Sequence, residues 1–122
     1  MKAYTDIEQS KKLAEILPVE NADMRYSPLG DNLHPWIWTD TFIEKDAVPC
    51  WSLAALLEEI PEIINFDDDE SDYALEILKE SCLYYLSYGN ILENYKIEIE
   101  PQEDFVDACY EMILRLHELK IL

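Results

Sequence analysis

The sequence predicts an α+β domain, a mostly antiparallel sheet with three helices packed largely on one face. Three observations carry that expectation. Phe105, Ala108, Cys109, Met112, Ile113, Leu116 and Leu119 form a continuous apolar face on a helix from about Glu103 to Leu119. Leu53, Leu56, Leu57 and Ile60 fall at i, i+3, i+4 and i+7, a second helical face in mid-chain. Tyr95-Lys96-Ile97-Glu98-Ile99-Glu100 alternates apolar and charged, the pattern of a strand with one wet face. The 122 residues make one domain. A chain of this size buries roughly two thirds of the surface its unfolded form exposes, so it folds without a metal or disulfide staple.

In chain order, Thr5-Asp6-Ile7-Glu8 reads as a capping box, with the Thr5 hydroxyl accepting from the Glu8 amide and the Glu8 side chain reaching back. The helix behind it runs from about Asp6 to Leu17 and stops before Pro18. Ile7, Ala14 and Leu17 form its inner stripe, widened by Leu13 and Ile16. Residues 18–23 form a turn around Asn21 and Asp23. Met24-Arg25-Tyr26 and Trp36-Ile37-Trp38-Thr39 pair as a loose hairpin across the loop Pro28-Leu29-Gly30-Asp31-Asn32. Residues 40–48 connect onward, with Phe42 and Ile43 touching the core. Pro49 to Pro61 reads as a compact amphipathic helix with an aromatic lead-in and a proline at each end. Ser52 is its N-cap, and Trp51 plugs the core where the helix begins, with Cys50 packed beside it.

Glu62-Ile63-Ile64-Asn65-Phe66 is a short apolar strand, and Asp67-Asp68-Asp69-Glu70-Ser71-Asp72 an acidic loop. Residues 73–90 admit two readings. A helix gathers Tyr73, Ile77, Leu78, Ser81, Cys82 and Tyr85 on one stripe. A hairpin pairs 73–78 with 83–88 around Lys79-Glu80-Ser81, closed by Gly89-Asn90. The strand-preferring run Leu83-Tyr84-Tyr85-Leu86-Ser87-Tyr88 favours the hairpin. In the last helix, Glu103, Asp104 and Asp107 near the start and Arg115, His117 and Lys120 near the end both suit the helix dipole.

The charge is the outlier. There are 27 acidic and 9 basic residues, a formal net charge of −18. Up to Pro61 there are 11 acidic and 5 basic residues; beyond it there are 16 and 4. Such a field repels nucleic-acid phosphates and anionic membrane surfaces, so no direct nucleic-acid or membrane binding is expected. It leaves open a basic protein partner. The apolar fraction of 49% separates the chain from disordered acidic sequences. Cys50, Cys82 and Cys109 are odd in number and have no metal-knuckle or redox spacing, so reduced, buried thiols in the cytoplasm are expected. The first eight residues are polar, and no window approaches a membrane span.

Few residues suggest chemistry. With only Gly30 and Gly89, no glycine-rich phosphate loop is formed. His117 lies in the last turn of a helix, where its cation is stabilised. His34, in a Leu-His-Pro loop, and Cys50, near a helix N-terminus that would lower a thiol pKa, are the two candidate reactive side chains. The acidic stretch lacks the glycine and the distal glutamate of a calcium-binding EF-hand loop. It reads instead as solvated, and no cofactor or metal is expected. Asp67, Asp68, Asp69, Glu70 and Asp72, with Tyr84 and Tyr88, form the candidate partner surface, since tyrosine is enriched at protein interfaces.

Three segments carry a resemblance. They are Tyr4-Thr5-Asp6-Ile7-Glu8-Gln9-Ser10-Lys11-Lys12-Leu13 with Leu17 to Met24, Pro49-Cys50-Trp51-Ser52-Leu53-Ala54-Ala55-Leu56-Leu57, and the closing helix from Asp107 to Leu122. In these, about half its length, the chain resembles a group of small uncharacterised proteins of gut bacteria and their phages or integrated elements. The resemblance implies a small cytoplasmic accessory protein, in phage-derived context, and supplies no activity or catalytic residue. Three functions are therefore expected in order: a non-enzymatic protein that binds a protein partner; a nucleic-acid mimic that blocks a DNA-binding protein; and a small hydrolase or thiol enzyme using Cys50 or His34.

Overall fold

The computed structural model describes residues 1–38, 45–66, 69–90, 92 and 94–122, and of residues 69 and 70 only the main chain. The α+β class holds, with the antiparallel strands divided between two sheets. In the first, Met24–Tyr26 (β1) lies between Trp36–Ile37 (β2) and Val48–Cys50 (β3). In the second, Ile63–Phe66 (β4), Asp69–Glu80 (β5), Leu83–Gly89 (β6) and Tyr95–Glu98 (β7) form an antiparallel meander in that spatial order. The helices are Ile7–Leu13 (α1), Leu53–Glu59 (α2) and Phe105–Glu118 (α3). α1 packs on β3, while α3 packs on both α2 and β6. Phe42 and Ile43 lie outside the described residues.

The N-terminus departs from the sequence reading by one residue. The capping box belongs to Asp6 and Gln9, not Thr5 and Glu8. Asp6 Oδ1 accepts from the Gln9 N–H at 2.8 Å, and Gln9 Oε1 accepts from the Asp6 N–H at 3.1 Å. Thr5 is released to a different task. It is fully buried, and its groups join three segments. Its N–H donates to the Trp51 carbonyl at 3.0 Å, and its Oγ1 meets Ser10 Oγ at 2.7 Å and accepts from the Trp51 N–H at 3.2 Å. Its carbonyl accepts from the Tyr26 hydroxyl at 2.7 Å. α1 also ends at Leu13, earlier than expected. The chain leaves it in a tightened turn, Ile16 N–H to Leu13 O at 2.9 Å, because Pro18 disfavours helix in the residue before it. Leu13 and Leu17 are buried as the stripe requires.

Residues 48–50 are strand rather than helix lead-in. Val48, Pro49 and Cys50 pair with Tyr26, Arg25 and Met24. The helix behind them begins where expected, with Ser52 Oγ capping the Ala55 N–H at 3.2 Å. Asp23 holds that cap in turn, accepting from the Ser52 N–H at 2.9 Å and from its hydroxyl. Trp51 is 0% exposed between strand and helix, among Leu13, Leu56, Met112, Ile113 and Leu116 in one core. Among the described residues its indole N–H has no hydrogen-bond partner.

Residues 73–90 form the hairpin, and β5 is longer than expected. It begins at Asp69, so residues 69–72 of the acidic stretch are strand, while Asp67 and Asp68 lie outside the described residues. The turn is Ser81-Cys82, with φ of 54° and 63°. Positive φ at both central residues matches the right-handed twist of a two-residue hairpin, even though neither is glycine. Tyr73, Tyr84, Leu86, Tyr88 and Ile97 face the core, and Ala74, Glu76, Leu78 and Glu98 face out. Gly89 is required by a close approach: a Cβ there would stand 2.9 Å from the Tyr95 ring.

α3 seals the structure. Its buried face is Ala108, Cys109, Met112, Ile113 and Leu116 of the predicted stripe plus Val106, while Phe105 is half-buried and Leu119 is exposed beyond the helix end. Asp104 caps it, accepting from the Val106 N–H at 3.0 Å, and also accepts from the Lys2 N–H at 2.7 Å. Lys2 Nζ reaches Asp107 at 2.8 Å and Asp6 at 3.2 Å. Partial burial works against the Lys2 charge, but the hydrogen bonds to Asp107 and Asp6 outweigh it and hold the ammonium above its ordinary pKa. The N-terminal arm thereby ties α1 to α3.

Two stability measurements follow from this core. Trp51→Ala removes a fully buried ring and should cost about 3–5 kcal/mol in urea denaturation; an unchanged midpoint would mean that the ring is not packed. Thr5→Val keeps the shape but removes Oγ1, leaving the Trp51 N–H without an acceptor, and should cost about 1–3 kcal/mol. Thr5→Ser, which keeps the oxygen, should avoid most of that loss.

Candidate functional site

Among the described residues, the sequence-predicted site residues do not converge. Tyr84 and Tyr88, expected on a partner surface, are core residues. Their parity on β6 is that of Leu86, which faces α3 and the interior. Tyr84 stacks on Phe105 with ring centroids 4.9 Å apart, and the Tyr88 hydroxyl donates to the Pro61 carbonyl at 2.6 Å. Burial raises the Tyr88 hydroxyl pKa well above its ordinary value. Asp72 is exposed on the outer face of β5, 3.4 Å from Asn65 Nδ2. The side chains of residues 67–70 are not described.

Cys50 sits in a closed environment. It is fully buried, 3.4 Å from the Thr5 carbonyl and 3.6 Å from Thr5 Oγ1. Burial pushes its thiol pKa up, against the hydrogen bonds from Thr5, Ser10 and Tyr26 that pull it down. The lowered value expected of a helix N-terminus is therefore reversed: residue 50 belongs to β3, two residues before the cap, and desolvation dominates. Cys109 is buried likewise, its thiol pushed up to about 12. Cys82, expected to be buried, is exposed in the hairpin turn. His34 is exposed, with Nδ1 2.9 Å from Asp31 Oδ2; the hydrogen bond from His34, with two backbone N–H bonds, holds the Asp31 carboxyl below its ordinary range. His117 Nδ1 meets the Leu122 main-chain oxygen at 3.0 Å.

The structure assembles a different feature, from the wet face of the strand at Glu98 and Glu100 and from helix residues that the sequence reading did not single out as a site. An open groove of about 440 Å³ runs between β7 with the segment after it and the exposed side of α3. Glu98, Ile99, Glu100 and Gln102 form one wall; Glu111, Leu114, Arg115 and Glu118 form the other. The α3 wall follows from helical spacing, since 111, 114, 115 and 118 are i, i+3, i+4 and i+7, the stripe opposite the buried one. The β7 wall follows from alternation. Ile97 is buried under the sheet, so Glu98 points outward and Ile99 is half-buried beside the helix. Four glutamates and one arginine thus line the groove, and Arg115 Nη1 already bonds Glu118 Oε2 at 3.3 Å.

Chemically, the groove suits cationic side chains with apolar stems. Ile99 and Leu114 offer apolar surface for methylene chains, and the glutamates offer acceptors at either lip. Among the described residues no three His, Cys, Asp or Glu side chains converge to hold a metal ion, so the glutamates act as separated charges along a trough. A second exposed feature lies on the first sheet, where the Arg25 guanidinium stands over the rings of Trp36 and Trp38 at 5.3 Å and 6.0 Å. Arg25 is itself buried and donates to the Ile37 carbonyl at 3.0 Å, which makes this stack part of the sheet's packing. Among the described residues no helix is long and apolar enough to cross a membrane. Comparison of the chain with protein-family models, with curated proteins and with solved structures finds no match.

Thiol reactivity tests the burial pattern. In the native protein an aromatic disulfide reagent should label Cys82 alone, and Cys50 and Cys109 should react only after denaturation. Rapid labelling of Cys50 in the folded state would restore it as a reactive group.

Proposed function

We propose that the chain is a non-enzymatic binding protein that acts on a basic protein partner, and that the groove between β7 and α3 is where it does so. The observation that carries this reading is the groove's composition: Glu98, Glu100, Glu111 and Glu118 against Arg115, whose charge is met by Glu118. The net charge of −18 supports it from a distance, because a field of one sign raises the encounter rate with a partner of the other. The resemblance to small proteins of gut bacteria and their phages gives the setting, an accessory protein of the cytoplasm with a phage-derived history.

Nucleic-acid mimicry has less to support it. Exposed carboxylates stand on α1 at Glu8, on α2 at Glu58, on the outer face of the second sheet at Asp72, Glu76 and Glu80, and along the groove. That spread favours a local trough over a duplex-like double row. The enzyme reading has the buried thiol of Cys50 on β3 and the surface pair of His34 with Asp31 in the loop between β1 and β2.

Calorimetric titration with a short Lys-rich peptide checks the proposal. Binding should weaken as salt is added. Glu98→Gln and Glu111→Gln should each reduce affinity by about two- to fivefold, the range for exposed ion pairs, while Glu8→Gln on α1 should leave it unchanged. Equal losses from all three variants would move the contact from the groove to the overall charge.

A further inference from the structure

The β7 wall of the groove is also, among the described residues, the open edge of the four-stranded sheet. In an antiparallel pair, every second residue of an edge strand bonds its neighbour, and the residues between direct N–H and C=O outward. Tyr88 pairs with Ile97 and Ser87 with Glu98, and the Ile99 N–H donates to the Leu86 carbonyl at 3.3 Å. Residues 97 and 99 therefore bond β6, and the N–H and C=O of Glu98 face the open side. Pro101, which has no N–H, closes the edge beyond Glu100.

An edge of this kind can be covered by a second copy of the chain or by a strand from elsewhere. A second copy would set Glu98 and Glu100 against their own equivalents, on a molecule of net charge −18, and like charges across a strand pair oppose pairing. A cationic strand meets the opposite situation on both of its faces. Side chains on its outer face would lie beside Glu98 and Glu100. Those on its inner face would enter the groove, with stems against Ile99 and Leu114 and charges at Glu111 and Glu118.

We propose that β7 accepts an extended, Lys/Arg-rich segment of a partner protein as a fifth strand of the sheet. This rests on the basic-partner reading above and adds its mode: main-chain pairing supplies the register, and carboxylates on both faces supply the selectivity for cations. A basic helix or a folded basic surface would use the charges without the edge.

N-methylated peptides separate the two levels. Two versions of one extended Lys-rich peptide carry N-methyl groups on alternate amides, one version on the odd set and the other on the even set, at identical charge. Strand addition uses only one of the two sets, so one version should lose about tenfold or more in affinity while the other binds like the unmodified peptide. The Glu98 amide should also exchange its hydrogen more slowly in the complex. If both methylated versions bind as well as the parent and Glu98 exchange does not change, the partner is basic but strand addition is wrong. If the unmethylated peptide itself does not bind at low salt, the basic-partner reading fails and takes this one with it.

Discussion

The molecule is assembled around the contact of Thr5 with Trp51. A hydroxyl and a peptide group removed from water must find partners inside, or the fold carries their full desolvation cost. Thr5 meets that demand by joining the adjacent helix α1, through Ser10, to two segments distant in sequence: the first sheet through Tyr26 and the β3–α2 junction through Trp51. With its main chain fixed there, the N-terminal arm lies along residues 51–53, where the Leu53 N–H donates to the Ala3 carbonyl at 3.0 Å. That position brings Lys2 within reach of the first turn of α3. The Trp51 ring occupies the space so enclosed. Its unpartnered indole N–H works against stability, but a large ring in full contact with the surrounding side chains offsets such a cost by its burial.

The same contact explains where sequence reading succeeds and where it stops. α3 and α2 were legible because each is specified by the periodicity of its own residues, and the hairpin of β5 and β6 because residues 83–88 prefer strand where periodicity admits a helix as well. The capping box was legible only to within one residue. Both Thr5 with Glu8 and Asp6 with Gln9 satisfy the local rule, and what decides is the burial of Thr5 against Trp51, a contact 46 residues away. β3 was hidden for a related reason. Val48-Pro49-Cys50 has no alternation to display, and only its pairing with β1 makes it a strand.

The candidate site shows a different failure. Tyr84 and Tyr88 were assigned to a surface by residue type, yet strand parity places them with Leu86 inside. Of the groove glutamates, Glu98 and Glu100 were assigned to a wet face, while Glu111 and Glu118 were not singled out. The alternation of residues 95–100 and the polar stripe of α3 are both plain in the sequence. Their convergence depends on how far α3 lies from the edge of the sheet, which tertiary packing alone determines.

The edges of the two sheets are defended unequally, and the difference gives the groove its meaning. An exposed edge invites pairing, and proteins blunt it with shortness, proline, bulges or charge. β2 is two residues long. β3 contains Pro49 and runs into the segment held by the N-terminal arm. β4 is broken by a register shift between Ile64 and Phe66. β7 has a shift too, between residues 88 and 89 of its neighbour, and the register moves again between the bond of Ile99 to Leu86 and the bridge of Gln102 to Tyr84, which leaves Ile97 to Ile99 in regular pairing. What protects β7 along that regular stretch is Glu98, followed by Glu100 before Pro101 ends the edge. Steric defences exclude every partner, whereas a charge excludes only like charge. Over its short regular stretch the β7 edge is guarded by a carboxylate, which opposes copies of this acidic chain and would attract a cationic strand.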